Sequence, residues 1–251
     1  MKNDTTDAIF EDENKDIIHL WEPLKFSIDK NYKYVPNGKL FSICSNILYY
    51  GIAFPILKIV TKVVYDLKIE GKENIRNFKS GAISVSNHVL VLDCAMVGLA
   101  CGRKRIYYTT REGSFKIPFV RKLIKLLRAI PIPTSIENKK NFIKAVSNIV
   151  KDGKVVHFYP EMALWPYCDK IRNFKNGAFK LAIDNNVPII PMVFKFREPK
   201  GIRKLFKRKK DVTLFVLKPI MTNNYDKSKQ GVEILREKVR QKLMDSDIGK
   251  W

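Results

Sequence analysis

Asn87-His88 followed by Asp93 is a spacing that can do chemistry. The run reads Ser84-Val85-Ser86-Asn87-His88-Val89-Leu90-Val91-Leu92-Asp93. Apolar residues 82–85 lead into it and an apolar helical pattern, 91–100, follows. This places His88 where a buried strand turns into a helix. Asp93 lies a little over one helical turn further on. With a helix beginning near Val89, its carboxylate points back at the imidazole. A carboxylate that accepts from one ring nitrogen fixes the tautomer and leaves the other nitrogen as a general base. This dyad has no serine of its own, so the nucleophile must come from a substrate. A polar cap, with the acid complementing the helix dipole, fits the same residues.

A second cluster follows an apolar strand, Val155-Val156-His157-Phe158-Tyr159, closed by Pro160 and Glu161. Proline stops a sheet ladder, so Glu161 sits at a strand end, as His88 does. The loop beyond carries Lys170, Arg172 and Lys175, with Gly177 opening a helix. Basic side chains beside a helix N-terminus form an anion site; a solvated loop with ordinary charges is the alternative. Residues 187–193 are apolar with two prolines, which predicts an edge strand or a strand beginning.

These residues need a scaffold, and the chain alternates to supply one. Strand-like runs fall at 63–69, 82–86, 105–109, 130–133, 155–159, 188–196 and 212–217. Helix-like runs fall at 91–101, 119–127, 139–151, 174–185 and 231–244. The pattern predicts an α/β fold, a mixed central sheet flanked by helices. Residues 40–57 carry no charge, are bracketed by Lys39 and Lys58, and are interrupted by Ser42, Asn46, Gly51 and Pro55. A pair of short helices or one kinked helix in a membrane interface is expected, with Tyr49 and Tyr50 at headgroup level. A core helix docking on the domain is the alternative. The division is residues 1–63, a loosely ordered polar start and membrane-associating helices, then residues 64–251, the domain that bears the chemistry.

The 251 residues, 45% hydrophobic, suffice for one sizeable core. The net charge is +22; residues 1–16 carry −4, leaving +26 on the remainder. Such a field attracts anionic lipid, nucleic acid or phosphorylated small molecules. Residues 197–210 hold eight cations and one acid, interspersed with Ile202, Leu205 and Phe206. That amphipathic basic stretch suits an anionic bilayer. Nucleic-acid binding rests on the same charge without any recognition motif, and a solvated hairpin loop is the plain alternative. Cys44, Cys94, Cys101 and Cys168 show no metal-ligand spacing, and the acidic start is no signal peptide. A reduced cytosolic compartment follows, with Cys94 and Cys101 as core fillers.

Taken together, the blocks resemble the glycerolipid acyltransferase family, typified by 1-acylglycerol-3-phosphate acyltransferase. Asn87-His88 to Asp93 matches its NHxxxxD block, Phe158-Tyr159-Pro160-Glu161 the start of its FPEGTR block, residues 174–179 the helix after that, and residues 187–193 its VPIIPV-like strand. The resemblance spans roughly residues 64–220. Two family features depart: Met162-Ala163-Leu164 replaces Gly-Thr-Arg, and residues 129–135 end without the family's Arg. The resemblance implies a membrane-associated O-acyltransferase on the cytoplasmic face, peripheral or monotopic. It takes acyl-CoA or acyl carrier protein as donor and a lysophospholipid or related acceptor, with no cofactor, metal or nucleic acid. It makes His88 the general base and Asp93 its orienting partner. It places Asn87, Glu161, Arg172, Lys175 and Gly177 toward the acceptor, with Lys139 and Arg128 as further substitutes for the missing arginines. An acyltransferase for another lipid or glycolipid, or a lipid-binding protein that has lost catalysis, fits the two departures.

Overall fold

The computed structural model describes residues 28–246 apart from 30, 37, 117 and 207–209. Residues 1–27 of the expected polar start and 207–209 of the basic stretch lie outside the described residues. Among the described residues the first element is one helix, α1 (Lys39–Tyr65). After it come β1 (Lys68–Glu70), α2 (Glu73–Arg76), β2 (Ala82–Ser86), α3 (Asp93–Cys101), β3 (Ile106–Arg111) and α4 (Pro118–Leu126). Then follow β4 (Ala129–Ile132), α5 (Ile136–Lys151), β5 (Val155–Phe158), α6 (Gly177–Asp184), β6 (Ile189–Arg197), α7 (Ile202–Phe206), β7 (Asp211–Val216) and α8 (Lys229–Asp245).

The strands form one seven-stranded sheet in the order β1-β7-β6-β2-β5-β3-β4. Only the β6–β7 pair is antiparallel; the other pairs are parallel. A mostly parallel sheet must bury both faces, and β2 and β5 accordingly read as unbroken apolar runs relieved only by Ser84, Ser86 and His157. One face packs under α5, α6 and α8, through Phe142, Val146, Phe179, Leu235 and Val239. The other packs under α1 and α3, through Tyr49, Met96, Val97 and Ala100. The mixed α/β sheet flanked by helices is the architecture that the alternation of elements predicts.

Three local readings change. Residues 63–65 finish α1 and do not start a strand; Asp66 takes a left-handed φ of 42°, which ends the helix. An apolar run that short fits either period, and the packing of Tyr65 decides it. Second, α3 starts at Asp93 itself, four residues later than the expected start. Third, β6 is interior, between β2 and β7. Its prolines mark the strand beginning, the other expected alternative: Pro188 precedes β6 and Pro191 is its third residue, whose carbonyl accepts from Leu217 N–H at 2.9 Å.

Helix α1 is continuous, but its stretch Ile47–Ala53 is π-helical, and Phe54 N–H bonds the carbonyl of Tyr49, five residues back. Pro55 explains this. It lacks an N–H, and its ring would meet the carbonyl of Gly51 in a regular α-turn; one wider turn relieves both problems without breaking the helix.

Candidate active site

The site lies at adjoining strand ends, where the parallel neighbours β2 and β5 both run out. His88 Nδ1 donates to Asp93 Oδ2 at 2.6 Å. Asp93 is the first residue of α3, so its carboxylate faces backbone N–H groups and the positive end of the helix dipole. Val89 N–H adds a bond to the same oxygen at 3.3 Å. The other oxygen, Oδ1, accepts from the Tyr159 hydroxyl at 2.7 Å. The Asp93 side chain is 1% exposed and that of His88 23%. A buried carboxylate thus holds a ring that still reaches solvent. With Nδ1 engaged, Nε2 is the nitrogen left for a substrate proton. The Tyr159 ring stacks on the imidazole, centroids 4.0 Å apart and 19° from parallel, and fixes its plane.

Asn87 takes a different position from a substrate ligand. It is buried, and its side-chain amide continues the sheet: Phe194 N–H donates to Asn87 Oδ1 at 2.9 Å, and Asn87 Nδ2 donates to the Phe194 carbonyl at 3.2 Å. The Asn87 amide pins the turn that presents His88 to β6.

Glu161 is likewise buried behind the dyad. Its Oε2 accepts from His88 N–H at 3.1 Å and from Arg172 Nη2 at 2.8 Å, and its Oε1 accepts from Arg172 N–H at 3.0 Å. Burial pushes the carboxyl up, and the Arg172 guanidinium and these backbone bonds pull the other way. Arg172 Nη2 also bonds the Ala163 carbonyl, and the guanidinium lies 4.7 Å over the Trp165 ring. The Trp165 loop closes the brace: Trp165 N–H bonds the His88 carbonyl and Tyr167 N–H that of Val89, each at 3.0 Å. Glu161 and Arg172 therefore support the His88 main chain. In this arrangement, contact of either with an acceptor requires breaking a buried ion pair.

Of the remaining candidates, Lys175 is exposed, and its N–H bonds the Pro160 carbonyl at 2.9 Å, which keeps it beside the Glu161 strand end. Gly177 is exposed at the start of α6, and a side chain there would meet nothing within 4 Å. Arg128 stands apart: its guanidinium stacks over Tyr49 and Tyr50 and donates to Asn46 Oδ1 at 2.9 Å, under α1. Lys139 is exposed on α5. Residues that sequence spacing did not single out include Tyr159, just past β5, whose hydroxyl donates to Asp93 Oδ1. Arg111 is another, at the end of β3, where Nη2 donates to the Met162 carbonyl at 3.1 Å. Met162 is itself exposed, with φ 67°. Among the described residues, no group of three His, Cys, Asp or Glu side chains could hold a metal ion.

A buried strand end thus hands a histidine to solvent against a carboxylate at a helix start. The acyltransferase family model matches residues 66–195, and the chain belongs to that family. It is 28% identical over 129 residues to a chloroplast 1-acyl-sn-glycerol-3-phosphate acyltransferase of Arabidopsis thaliana, covering 51% of this chain and 35% of that one. It is 28% identical over 192 residues to a Saccharomyces cerevisiae protein named 1-acyl-sn-glycerol-3-phosphate acyltransferase, covering 72% of this chain and 59% of that one. The chain thus spans about a third to three fifths of the length of these relatives. The crystal structure of the 1-acyl-sn-glycerophosphate acyltransferase of Thermotoga maritima shares the fold, with a TM-score of 0.54 at 18% identity over 84% of this chain and 97% of that one.

Proposed function

We propose that this protein moves an acyl group from a thioester of CoA or acyl carrier protein to the free hydroxyl of a lysophospholipid such as 1-acylglycerol-3-phosphate, at the cytoplasmic face of a membrane. The observation that carries this is the 2.6 Å bond from His88 Nδ1 to a buried Asp93 with no serine in the pair. The acceptor hydroxyl gives its proton to His88 Nε2 as its oxygen attacks the thioester carbonyl. The thiolate leaves when the tetrahedral intermediate collapses, and it takes the proton back from Nε2. Asp93 stabilises the imidazolium in between. General-base help of this kind is worth on the order of 10²–10⁴-fold. As written, the reaction uses no metal or cofactor.

With Arg172 held by Glu161, the acceptor phosphate is assigned to Arg111 and Lys175, which bond the Met162 and Pro160 carbonyls on either side of Glu161. They flank the strand end that carries Glu161 and stand in for the family's missing arginines. Membrane association is supported by α1, which spans 27 residues and is long and apolar enough by length and composition to cross a bilayer. Leu40, Ile43, Ile47, Ile52, Ile56, Ile59 and Val63 form an exposed apolar strip along it. Phe119 on α4 and Leu205 on α7, each about four fifths exposed, add to the apolar surface. A strip flanked by lysines lies in the interface rather than in water.

The test is acyl transfer from labelled long-chain acyl-CoA, then from acyl carrier protein, to lysophosphatidic acid, other lysophospholipids and glycolipids, with His88→Ala alongside. Labelling that depends on His88 supports the reading. A protein that binds these lipids yet labels none of them, from either donor, is the lipid-binding alternative.

A further inference from the structure

A broad concavity lies at the other end of α3 from Asp93. It is a groove of about 1110 Å³ between the inner face of α1, the β1–α2 segment and the last turn of α3 with its following turn. A nine-residue helix is about 13 Å long, so it stands well apart from the dyad. Six cations line it: Lys58, Lys62, Lys72, Arg76, Arg103 and Lys104; no acid does. Three are committed. Lys62 pairs with Asp66, Arg76 donates to the carbonyls of Leu99 and Ala100 at 2.8 Å each, and Lys104 donates to those of Phe78 and Ser80. Lys58, Lys72 and Arg103 are exposed and form no ion pair among the described residues. Between the cations the walls are apolar: Tyr50, Phe54, Leu67 and Leu99.

The position of the groove on α1 indicates what it holds. Tyr50, Phe54, Lys58 and Lys62 follow one another at four-residue intervals and line the groove. The strip Ile52, Ile56, Ile59 and Val63 is out of phase with them and exposed. A helix is about 10 Å across, and an interfacial helix sinks about 5–10 Å into the headgroup boundary. When the strip is in the bilayer, the groove therefore lies level with lipid phosphates, and its apolar walls continue the surface that meets the acyl chains.

We propose that this groove is a second lipid site, which takes the phosphate head group of an anionic phospholipid from the leaflet on which α1 rests, with Lys58, Lys72 and Arg103 as its free cations. The site rests on the membrane reading of α1 but not on catalysis at His88. Phosphate between several cations in a partly apolar groove is held by charge-assisted bonds, and the dyad and its brace take no part.

The test uses the full chain with water-soluble dihexanoyl lipids, so that binding does not require a bilayer. Dihexanoyl phosphatidic acid, dihexanoyl phosphatidylcholine and adenosine 3′,5′-bisphosphate are titrated calorimetrically. The proteins are the parent, the triple variant Lys58→Gln/Lys72→Gln/Arg103→Gln, a control of equal charge change on α5 (Lys140→Gln/Lys144→Gln/Lys151→Gln), and His88→Ala. The expected result is saturable binding of the phosphatidic acid analogue, weakened about tenfold, near 1.4 kcal/mol, in the groove variant. The control and His88→Ala keep it, and phosphatidylcholine binds poorly. Equal affinities in the groove variant and the α5 control overturn the site. So does tighter, groove-dependent binding of the bisphosphate, which would make it a nucleotide pocket for the donor. Vesicle sedimentation and acyl transfer by the same proteins separate this result from the proposed function. If the parent binds no vesicles, the membrane reading fails; if the groove variant alone loses the soluble lipid, the site stands.

Discussion

His88 and His157 stand at neighbouring strand ends and meet opposite fates. His157 lies within β5, is fully buried, and is met by two hydroxyls: Ser84 Oγ at 2.9 Å from Nδ1 and Ser86 Oγ at 3.3 Å from Nε2. With no anion bonded to it, burial pulls its pKa from 6.5 down to about 3, and the ring stays neutral. His88 lies just past the end of β2, partly exposed, with an aspartate bonded to one nitrogen. Tyr159 touches both rings, stacked on His88 and edge-on to His157 at 4.7 Å. The residue type is shared; one ring has solvent access and a bonded carboxylate, the features the proposed base needs, and the other is enclosed by hydroxyls.

Changes at either ring and at the groups around them test this contrast. His88→Ala is expected to lower acyl transfer by about 10²–10⁴-fold with an unchanged melting temperature; near-parental turnover would end the dyad assignment. Glu161→Gln leaves Arg172 buried without its counter-charge and is expected to cost about 3–5 kcal/mol of stability by chemical denaturation. A midpoint close to the parent's would mean that Glu161 is free to serve the acceptor instead. The pKa of His157, about 3 in the folded protein against 6.5, means that the unfolded chain binds more protons between those values. Stability therefore rises with pH across that window and falls on acidification, by up to about 1.4 kcal/mol per pH unit. His157→Asn should flatten that slope, whereas His88→Ala should leave it in place. The smallest effect is expected of Tyr159→Phe, which keeps the stack on His88 and removes only the bond to Asp93 Oδ1. A drop of about fivefold in kcat, near 1 kcal/mol, with KM unchanged, would show that the hydroxyl tunes the dyad. A parental kcat would reduce it to packing.

The dyad was legible in the sequence because five residues of local chain fix the whole contact, and the α/β alternation was legible because buried strands and amphipathic helices have distinct periods. What escaped was long-range. Asn87, Glu161 and Arg172 have the residue types of substrate ligands, and only the meeting of β2, β6 and the loop after β5 gives them partners. The prolines of β6 suggested an edge or a strand beginning; they mark its beginning, and its interior place depends on pairing with β7 that no local pattern encodes. The site-flanking role of Arg111 likewise depends on β3 lying beside β5, which spacing along the chain does not reveal.

The π-turn of α1 has a consequence for tracing descent. The outer apolar positions step from Ile47 to Ile52, five residues, where neighbouring steps are three or four. A wide turn of this kind is equivalent to one residue inserted into an ordinary helix, absorbed without rotating either half. Removing one residue from the stretch Ile47–Ala53, together with replacing Pro55 by alanine, should give a regular helix with both faces still in phase. A relative with a plain α-helix here should align with this chain only across a single-residue gap, and an ungapped alignment through the segment would superimpose exposed apolar positions on inner ones.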